Sequence, residues 1–457
     1  MTRIHIIYYL TLKALIRQGI KTFYRKWEIH GYDENVHKNT PVIFAGNHQN
    51  AFIDPLNIVC STKNERRPSF LTRSDVFVGK IKHLLFSFRM LPIYRQRDGV
   101  DTLQKNEEIF QICVDRLANK EAIIIFPEGN HDDKKRIRPI KKGAARIAFQ
   151  AEDQNDHQLG IHIVPVGVNY SAYRNFRGDV LVNYGKPIVV SDYYELYQEN
   201  SQRALVKITQ DIRQGMKDTV IDISSREDYD VIERLFESFG KDNAVELGLN
   251  PKKFHDVFVA EKDLIQKIED DFKEDSPAIE EVRTQTRLYK DGLKKLKMRD
   301  HVIARPPKSR FVLLLGAIAL ILGLPVHLYG VLNNYIPYKI ADRMALKFFK
   351  DDHFHSSIRF GVGFFLFPIY YLLLFLIAWG ITDILTATVY LVSLPLSGNF
   401  AMFYSTQVKK WYARWKYLNL LNAGDTLLSS VIAAREKMSH YVSGIIKGKP
   451  EPEKVQK

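Results

Sequence analysis

The run PVIFAGNHQNAFIDP, residues 41–55, joins a short β-rich apolar segment to a polar turn and then to a second apolar segment opening on Ile53, Asp54 and Pro55. A brief apolar run bounded by turn residues is what a buried strand looks like in sequence. Similar runs recur outward from it: PSFLT at 68–72, LPIY at 91–94, AIIIFP at 122–127, IHIVPVGVN at 161–169 and VLVNYG at 180–185. Between them lie amphipathic stretches such as LQKNEEIFQICVDRLAN (103–119) and KKGAARIAFQAE (141–152). Strand and helix in alternation predict an α/β domain over residues 32–191, with a mostly parallel sheet flanked by helices. Functional side chains are then expected on the loops that follow strand ends.

Beyond this core the chain changes character twice. Residues 192–304 are charged and helix-patterned with few strand signals, which predicts a helical insertion or arm. From residue 311 onward, three runs contain no Asp, Glu, Lys or Arg: 311–338, 360–382 and 384–408. Each is longer than the roughly 20 residues that cross a bilayer, so 305–416 is expected to hold transmembrane helices, followed by a tail over 417–457. Arg305, Lys308 and Arg310 precede the block, and Lys409, Lys410, Arg414 and Lys416 follow it. The positive-inside rule then favours both ends in the cytoplasm and an even number of crossings. The simplest arrangement is a hairpin of 311–333 and 360–380, with the Pro395 and Gly398 segment interfacial, re-entrant or a continuation. Three full crossings are the alternative.

The 457 residues are 46% hydrophobic and 26% charged, which fits a globular chain with a local membrane part. A mean hydropathy of −0.21 is too low for a chain that is mostly membrane-spanning. The net charge of +14 suggests an acidic partner, and its distribution selects among them. Residues 1–31 carry six Lys/Arg against one Glu, +5, and residues 301–457 carry eighteen against eight Asp/Glu, +10. That leaves −1 on 32–300. A near-neutral core has no large basic face, so nucleic acid is not an expected partner and a phospholipid membrane is. The first segment puts Arg3, Lys13, Arg17 and Lys21 on one side of a helix and Ile4, Ile7, Leu12, Leu15, Ile16 and Ile20 over most of the rest. This suits an amphipathic membrane-interface helix over 1–31, although a helix packed on its own domain has the same pattern. Cys60 and Cys113 lack metal-ligand spacing and read as buried small hydrophobes.

The chemistry-bearing residues cluster after the strands. His48 and Asp54 share the loop after the first core strand, where a carboxylate could orient a histidine general base. LPIYRQRDG places Arg95 and Arg97 just past a strand, suited to a phosphate. AIIIFPEGN puts Glu128 and Gly129 at a strand end, and RIRPIKKGAARIA supplies Arg136, Arg138, Lys141 and Lys142 ahead of Gly143. That glycine stands where a helix N-terminus could face an anion. Each block also has a bland reading as a surface pair, a strand turn or a solvated basic run. Metal binding by His48, Asp54, His131, Asp132 and Asp133, or by His353 and His355, lacks the spacing of a recognised site. His327, inside an apolar run, is either a functional polar group or a residue near a helix end.

Taken in order, NHQNAFID, PIYR, FPEGN and IVPVGV resemble the four motifs of the PlsC-like glycerolipid acyltransferases, over residues 29–184. Two departures stand out. Five residues separate His48 from Asp54 where the family has four, a spacing that resembles the fungal glycerol-3-phosphate/dihydroxyacetone-phosphate acyltransferases. On regular structure this would turn the carboxylate away from the histidine, so a bulge or turn must restore the contact. Asn130 stands where the family has Thr or Ser, and its amide can still donate and accept.

The resemblance implies catalysis by His48 and Asp54 without a covalent nucleophile. It further implies acceptor-phosphate binding by Arg95, with Lys141 or Lys142 as weaker candidates. Glu128, Gly129 and Asn130 would shape the acceptor site, and Pro165 would help form the acyl side. No cofactor or metal is expected. The substrates implied are a glycerol-phosphate acceptor, glycerol-3-phosphate or 1-acylglycerol-3-phosphate, and an acyl-CoA or acyl carrier protein donor. A transacylase acting on other lysophospholipids would use the same residues, and a lipid-binding protein could keep the motifs without the chemistry. The implied location is an integral membrane protein with its catalytic domain on the cytoplasmic face.

Overall fold

The computed structural model describes residues 3–77, 79, 81–94, 102–129, 134–172, 176–274, 276–348 and 354–447. The chain divides into two compact units, Met1–Asp222 with Met344–Gly361, and Ile223–Arg343 with Val362–Lys457.

The first unit is built on a sheet of β1 (Lys26–His30), β2 (Val42–Gly46), β3 (Ser69–Arg73), β4 (Met90–Ile93), β5 (Ala122–Ile125), β6 (His162–Tyr170), β7 (Asp179–Tyr184) and β8 (Ile188–Val189). The spatial order is β1-β7-β6-β2-β5-β3-β4, with β8 added to β6. The pairs β6–β7 and β6–β8 are antiparallel, and the remaining pairs are parallel. β2 therefore lies in the interior of the sheet, between β6 and β5. Its residues are buried along their whole length, as are those of β5 and β7. This is why these strands read as continuous apolar runs in sequence. β1 was missed because KWEIH is a half-exposed edge strand without a strong apolar signal.

The helices of this unit are α1 (Arg3–Phe23), α2 (Tyr32–Asn35), α3 (Ile53–Ser61), α4 (Ile81–Ser87), α5 (Thr102–Ala118), α6 (Gly143–Asp153), α7 (Tyr194–Glu199) and α8 (Ser201–Thr219). Alternate residues of β2 face opposite layers. Ile43 and Ala45 join Cys113 and Leu117 of α5, Phe149 of α6, and Ile212 and Met216 of α8 in one core. Phe44 turns the other way, onto Tyr184. Burying each large apolar side chain contributes about 1.5–3 kcal/mol.

Two expected boundaries shift. The stretch 1–31 is not a separate segment, because β1 within it pairs with β7 of the sheet. The region expected over 192–304 divides after residue 222, since α7 and α8 belong to the sheet-bearing unit. The N-terminal helix also differs from its helical projection. Lys13, expected on a polar face, is 3% exposed. Its ammonium donates to the carbonyl and hydroxyl of Thr62 at 2.9 Å each, to the Lys63 carbonyl at 3.0 Å and to the Arg66 carbonyl at 3.3 Å. It thus serves the carbonyl end of α3, where a cation is favoured. Ile7, Tyr8 and Leu15 are left exposed instead.

The second unit contains α9 (Tyr229–Glu246), α10 (Phe254–Asp271), α11 (Pro277–Leu296) and α12 (Asp300–Ala304). Three long helices follow, α13 (Arg310–Phe348), α14 (His355–Ile381) and α15 (Ile384–Asn422), and then α16 (Thr426–Lys447). The charged stretch expected as a helical insertion or arm packs, through α11, on α16. Gly292 of α11 lets Val431 approach so closely that a Cβ would sit 2.2 Å from it, and Arg435 pairs with Asp300 at 3.2 Å.

Arg310–Lys347, His355–Ile381 and Ile384–Asn422 are each long and apolar enough to cross a membrane. The described residues thus hold three candidate spans, the two of the expected hairpin and a third that includes the Pro395 and Gly398 segment. The Pro395 and Gly398 segment is an uninterrupted part of α15, the continuation that was one of its expected forms, and Gly398 and Gly330 allow α15 and α13 to approach closely. Asn334 of α13 ties the spans together, donating to the Leu394 carbonyl at 3.2 Å and accepting from the Tyr371 hydroxyl at 2.5 Å. His327 stacks on Tyr404 at 4.3 Å.

Candidate active site

The site grows from the carboxyl end of β2. A Cβ at Gly46 would lie 2.9 Å from the Phe126 ring and 3.1 Å from Ile58, so only glycine lets the loop leave the strand here. Asn47 follows, 4% exposed. Its side chain accepts from the Val168 N–H at 2.7 Å and donates to the Val168 carbonyl at 3.2 Å, carrying the pairing with β6 one step past the strand. His48 thus projects from an anchored backbone. Its imidazole is stacked on Phe126 with centroids 4.3 Å apart.

Residues 49–52 turn, and α3 begins at Ile53, so Asp54 lies in the first helical turn and is fully buried. The turn brings its carboxylate back to His48, with Oδ2 at 2.9 Å from Nδ1. The same oxygen accepts from the backbone N–H groups of Gln49 at 2.8 Å and Asn50 at 2.7 Å. Oδ1 accepts from the Tyr170 hydroxyl at 2.5 Å. Four donors and the positive end of α3 hold this charge in place. Burial, reinforced by the Asp54 charge, pushes the Tyr170 hydroxyl far above its ordinary range, so it remains a donor. With Nδ1–H directed at Asp54, Nε2 of His48 is the nitrogen left to accept a proton.

Neighbouring groups frame this pair. Glu128, in the turn after β5, has a side chain only 5% exposed. Its carboxylate accepts from the Arg138 N–H at 3.3 Å and Nε at 3.2 Å, and also from the His48 backbone N–H. Burial pushes its carboxyl above the ordinary range, while Arg138 and the His48 amide pull against that. Glu128 therefore braces the histidine loop against the 134–141 segment and shapes the site indirectly. Gly129 has φ of +75°, the left-handed region, and a Cβ there would meet Lys141 Cε and Nζ at 3.1 Å each. Lys141, and not Lys142, is thus the lysine laid against the turn. Lys142 occupies the N-cap of α6, which starts at Gly143 as expected.

Pro165 lies within β6. Its ring is buried against Gly215 of α8, whose Cβ would lie 2.5 Å from Cγ. It sits in β6 between the stretch paired with β8 and the stretch paired with β7, and its carbonyl accepts from Gly185 at 2.8 Å on that side. The missing N–H therefore falls in a gap of the ladder. This side chain packs the sheet on α8.

Arg95, Arg97, Asn130, His131, Asp132, Asp133 and His353 lie outside the described residues. The strand leading to Arg95 is nevertheless placed. β2, β5, β3 and β4 run parallel, so their carboxyl ends open on one edge of the sheet, with β4 about 14 Å from β2 at the usual strand spacing. Asn106 of α5 clamps the backbone of Tyr94, accepting from its N–H at 2.9 Å and donating to its carbonyl at 2.8 Å. Among the described residues no three His, Cys, Asp or Glu side chains cluster as metal ligands. Cys60 and Cys113 are free and buried, and burial pushes both thiols up to about 12, so neither is a reactive thiolate.

The family model described as Acyltransferase matches residues 27–169, which begin in β1 and include His48, Asp54 and the Glu128–Gly129 turn but stop one residue short of Tyr170. This stretch is similar to the acyltransferase domain that the family model describes. Related chains share it. Glycerol-3-phosphate O-acyltransferase 2 of Saccharomyces cerevisiae is 34% identical over 112 residues, 24% of this chain and 15% of the relative. Glycerol-3-phosphate O-acyltransferase 1 of the same yeast is 28% identical over 138 residues, 28% of this chain and 18% of the relative. A chloroplastic 1-acyl-sn-glycerol-3-phosphate acyltransferase of Brassica napus is 26% identical over 151 residues, 32% and 38% of the two chains. The chain thus matches less than half the length of each of these relatives. The crystal structure of a 1-acyl-sn-glycerophosphate acyltransferase, PlsC, from Thermotoga maritima aligns at 17% identity with a TM-score of 0.34, covering 48% of this chain and 83% of that one. At that distance it adds nothing to the assignment.

Around the His48–Asp54 pair, sequence reasoning found both partners but missed Asn47, Asn106 and Tyr170. Asn47 stood beside the histidine in the quoted motif and could have been read as its anchor. Tyr170 lies 116 residues from Asp54 and carries no local signal.

Proposed function

We propose that this protein is a membrane glycerolipid O-acyltransferase that moves a fatty acyl group from acyl-CoA or acyl carrier protein to a hydroxyl of glycerol-3-phosphate or 1-acylglycerol-3-phosphate. The observation that carries the proposal is the His48 Nδ1 to Asp54 contact of 2.9 Å, with the carboxylate fixed by three further donors. His48 Nε2 takes the proton of the acceptor hydroxyl as its oxygen attacks the thioester carbonyl. Asp54 stabilises the imidazolium formed. The tetrahedral intermediate collapses with loss of the thiolate, which recovers the proton from His48. Arg138 and Lys141 beside the Glu128–Gly129 turn, together with Arg95 by family resemblance, supply positive charge for the acceptor phosphate. The reaction proceeds without metal or cofactor other than the acyl carrier.

The phospholipid membrane is the working surface, with the catalytic domain on the cytoplasmic face. The apolar helices α13, α14 and α15 and the exposed Ile7, Tyr8 and Leu15 of α1 support membrane attachment, and the basic residues flanking 311–408 support the orientation.

The test is a panel of glycerol-3-phosphate, dihydroxyacetone phosphate and 1-acylglycerol-3-phosphate, each offered with acyl-CoA and with acyl carrier protein to the purified full chain. Ester formation with matching thiol release is expected for at least one pair, and His48→Ala should lower kcat by about 10³-fold. Absence of transfer by wild type to every acceptor, or full activity of His48→Ala, would overturn the proposal.

A further inference from the structure

α3 carries Asp54, yet it lacks a cap of its own. Its N-cap position is Phe52, whose side chain makes no capping hydrogen bond, so the N–H of Phe52 itself needs an acceptor. The acceptor comes from 305 residues away. Ser357 Oγ, at the start of α14, receives the N–H of Phe52 at 3.1 Å and lies 3.3 Å from that of Ile53. The neighbouring Ser356 donates to Asn50 Oδ1 at 2.8 Å, and Ser357 Oγ is 3.1 Å from the same oxygen. Asn50 is itself part of the Asp54 cradle. Its N–H donates to Asp54 Oδ2 at 2.7 Å, and its carbonyl accepts the N–H of Ile53 at 2.9 Å and of Asp54 at 3.1 Å. Asn50, Ser356 and Ser357 are 0%, 1% and 5% exposed, so water does not offer these groups an alternative. Phe354 on Phe52 and Phe360 on Phe23 pack the same short segment against the domain.

We infer that Ser356 and Ser357 are positioning residues for the His48–Asp54 pair, Ser357 accepting the N–H of Phe52 at the start of α3 and both serines fixing the turn that accommodates the five-residue spacing. The inference rests on His48 serving as the general base. It implies that the catalytic turn is completed by the first residues of a helix apolar enough to span a membrane.

The experiment compares wild type, Ser357→Ala and Ser357→Thr as purified full chains, measuring steady-state acyl transfer and peptide-level hydrogen exchange across residues 49–56. Ser357→Ala should lower kcat by about 10- to 100-fold with both KM values within about twofold, since a loosened turn misplaces the base without touching substrate. The same variant should speed exchange in the 49–56 peptide. Ser357→Thr keeps the hydroxyl and should restore kcat to within about threefold of wild type and exchange to the wild-type rate. Should Ser357→Ala not accumulate folded, Ser356→Ala, which removes only the bond to Asn50, is expected to reduce kcat at least about threefold. Wild-type turnover in both alanine variants, equal damage by Ala and Thr, or unchanged exchange would overturn the inference. If wild type transfers acyl groups to no acceptor, the proposed activity fails. The exchange arm still decides whether the Ser357 hydroxyl holds the turn.

Discussion

Asp54→Asn keeps the shape of the side chain and removes its charge. The surroundings dictate how the amide would sit. Oδ2 of Asp54 receives two backbone N–H groups and His48 Nδ1, whereas Oδ1 receives one hydroxyl, so the amide oxygen must take the Oδ2 place. The new NH2 then faces Tyr170, whose hydroxyl already receives the Asn57 amide at 3.1 Å and can turn to accept again. Fold and loop geometry should therefore survive. What disappears is the attraction between the carboxylate and the imidazolium formed during proton transfer. With charge centres about 4 Å apart and an effective dielectric near 20, that attraction amounts to about 4 kcal/mol. At about 1.4 kcal/mol per factor of ten, kcat should fall by about 10³-fold. KM should change little, because Asp54 is fully buried and cannot touch substrate. The assay is thiol release from an acyl thioester in the presence of the best acceptor, with a matched melting curve to establish that the variant is folded. An Asp54→Asn enzyme within tenfold of wild-type kcat would refute the view that the buried charge, and not merely the hydrogen bond, drives the histidine.

Two further outcomes follow from the packing. Gly46→Ala places a methyl 2.9 Å from the Phe126 ring on which His48 rests; a loss of about 1–3 kcal/mol in stability together with reduced kcat is expected, measurable by denaturant unfolding, and an unperturbed variant would contradict the close approach. Burial pulls the Lys13 ammonium from 10.5 down to about 8, so the unfolded chain holds more protons between those pH values and this group's contribution to stability rises with pH there. Relative to Lys13→Met, wild type should gain about 1 kcal/mol between pH 7 and pH 9 in parallel melts, and a relative loss would contradict that environment.

Much of the sheet was legible because its central strands are buried on both faces. VIFAG, AIII and VLVNY cannot be mistaken for solvated segments. β1 was not, because only one edge of KWEIH is paired and its burial is partial. The same limit explains Lys13. A helical projection places a lysine on the polar side, yet the carbonyl end of α3 offers its ammonium four oxygens, and the helix turns that side inward. The position of Pro165 in an apolar strand was legible, whereas its covering by Gly215 depends on α8. For the third apolar helix, the flanking basic residues favoured an even count of spans. The segment is a continuous helix, and Gly330 and Gly398 let it pack closely on α13.

The sequence by itself determined the alternation of strand and helix, the residues able to exchange a proton, and the three stretches free of charge, since these follow from periodicity and composition within a few residues. The tertiary structure decided how His48 and Asp54 meet across a five-residue spacing and what keeps them there. Tyr170 is 116 residues from Asp54, and Ser357 is 305 from Phe52. Hydrogen bonds require atoms to lie within about 3 Å whatever their separation along the chain, and no local pattern encodes which distant group will arrive.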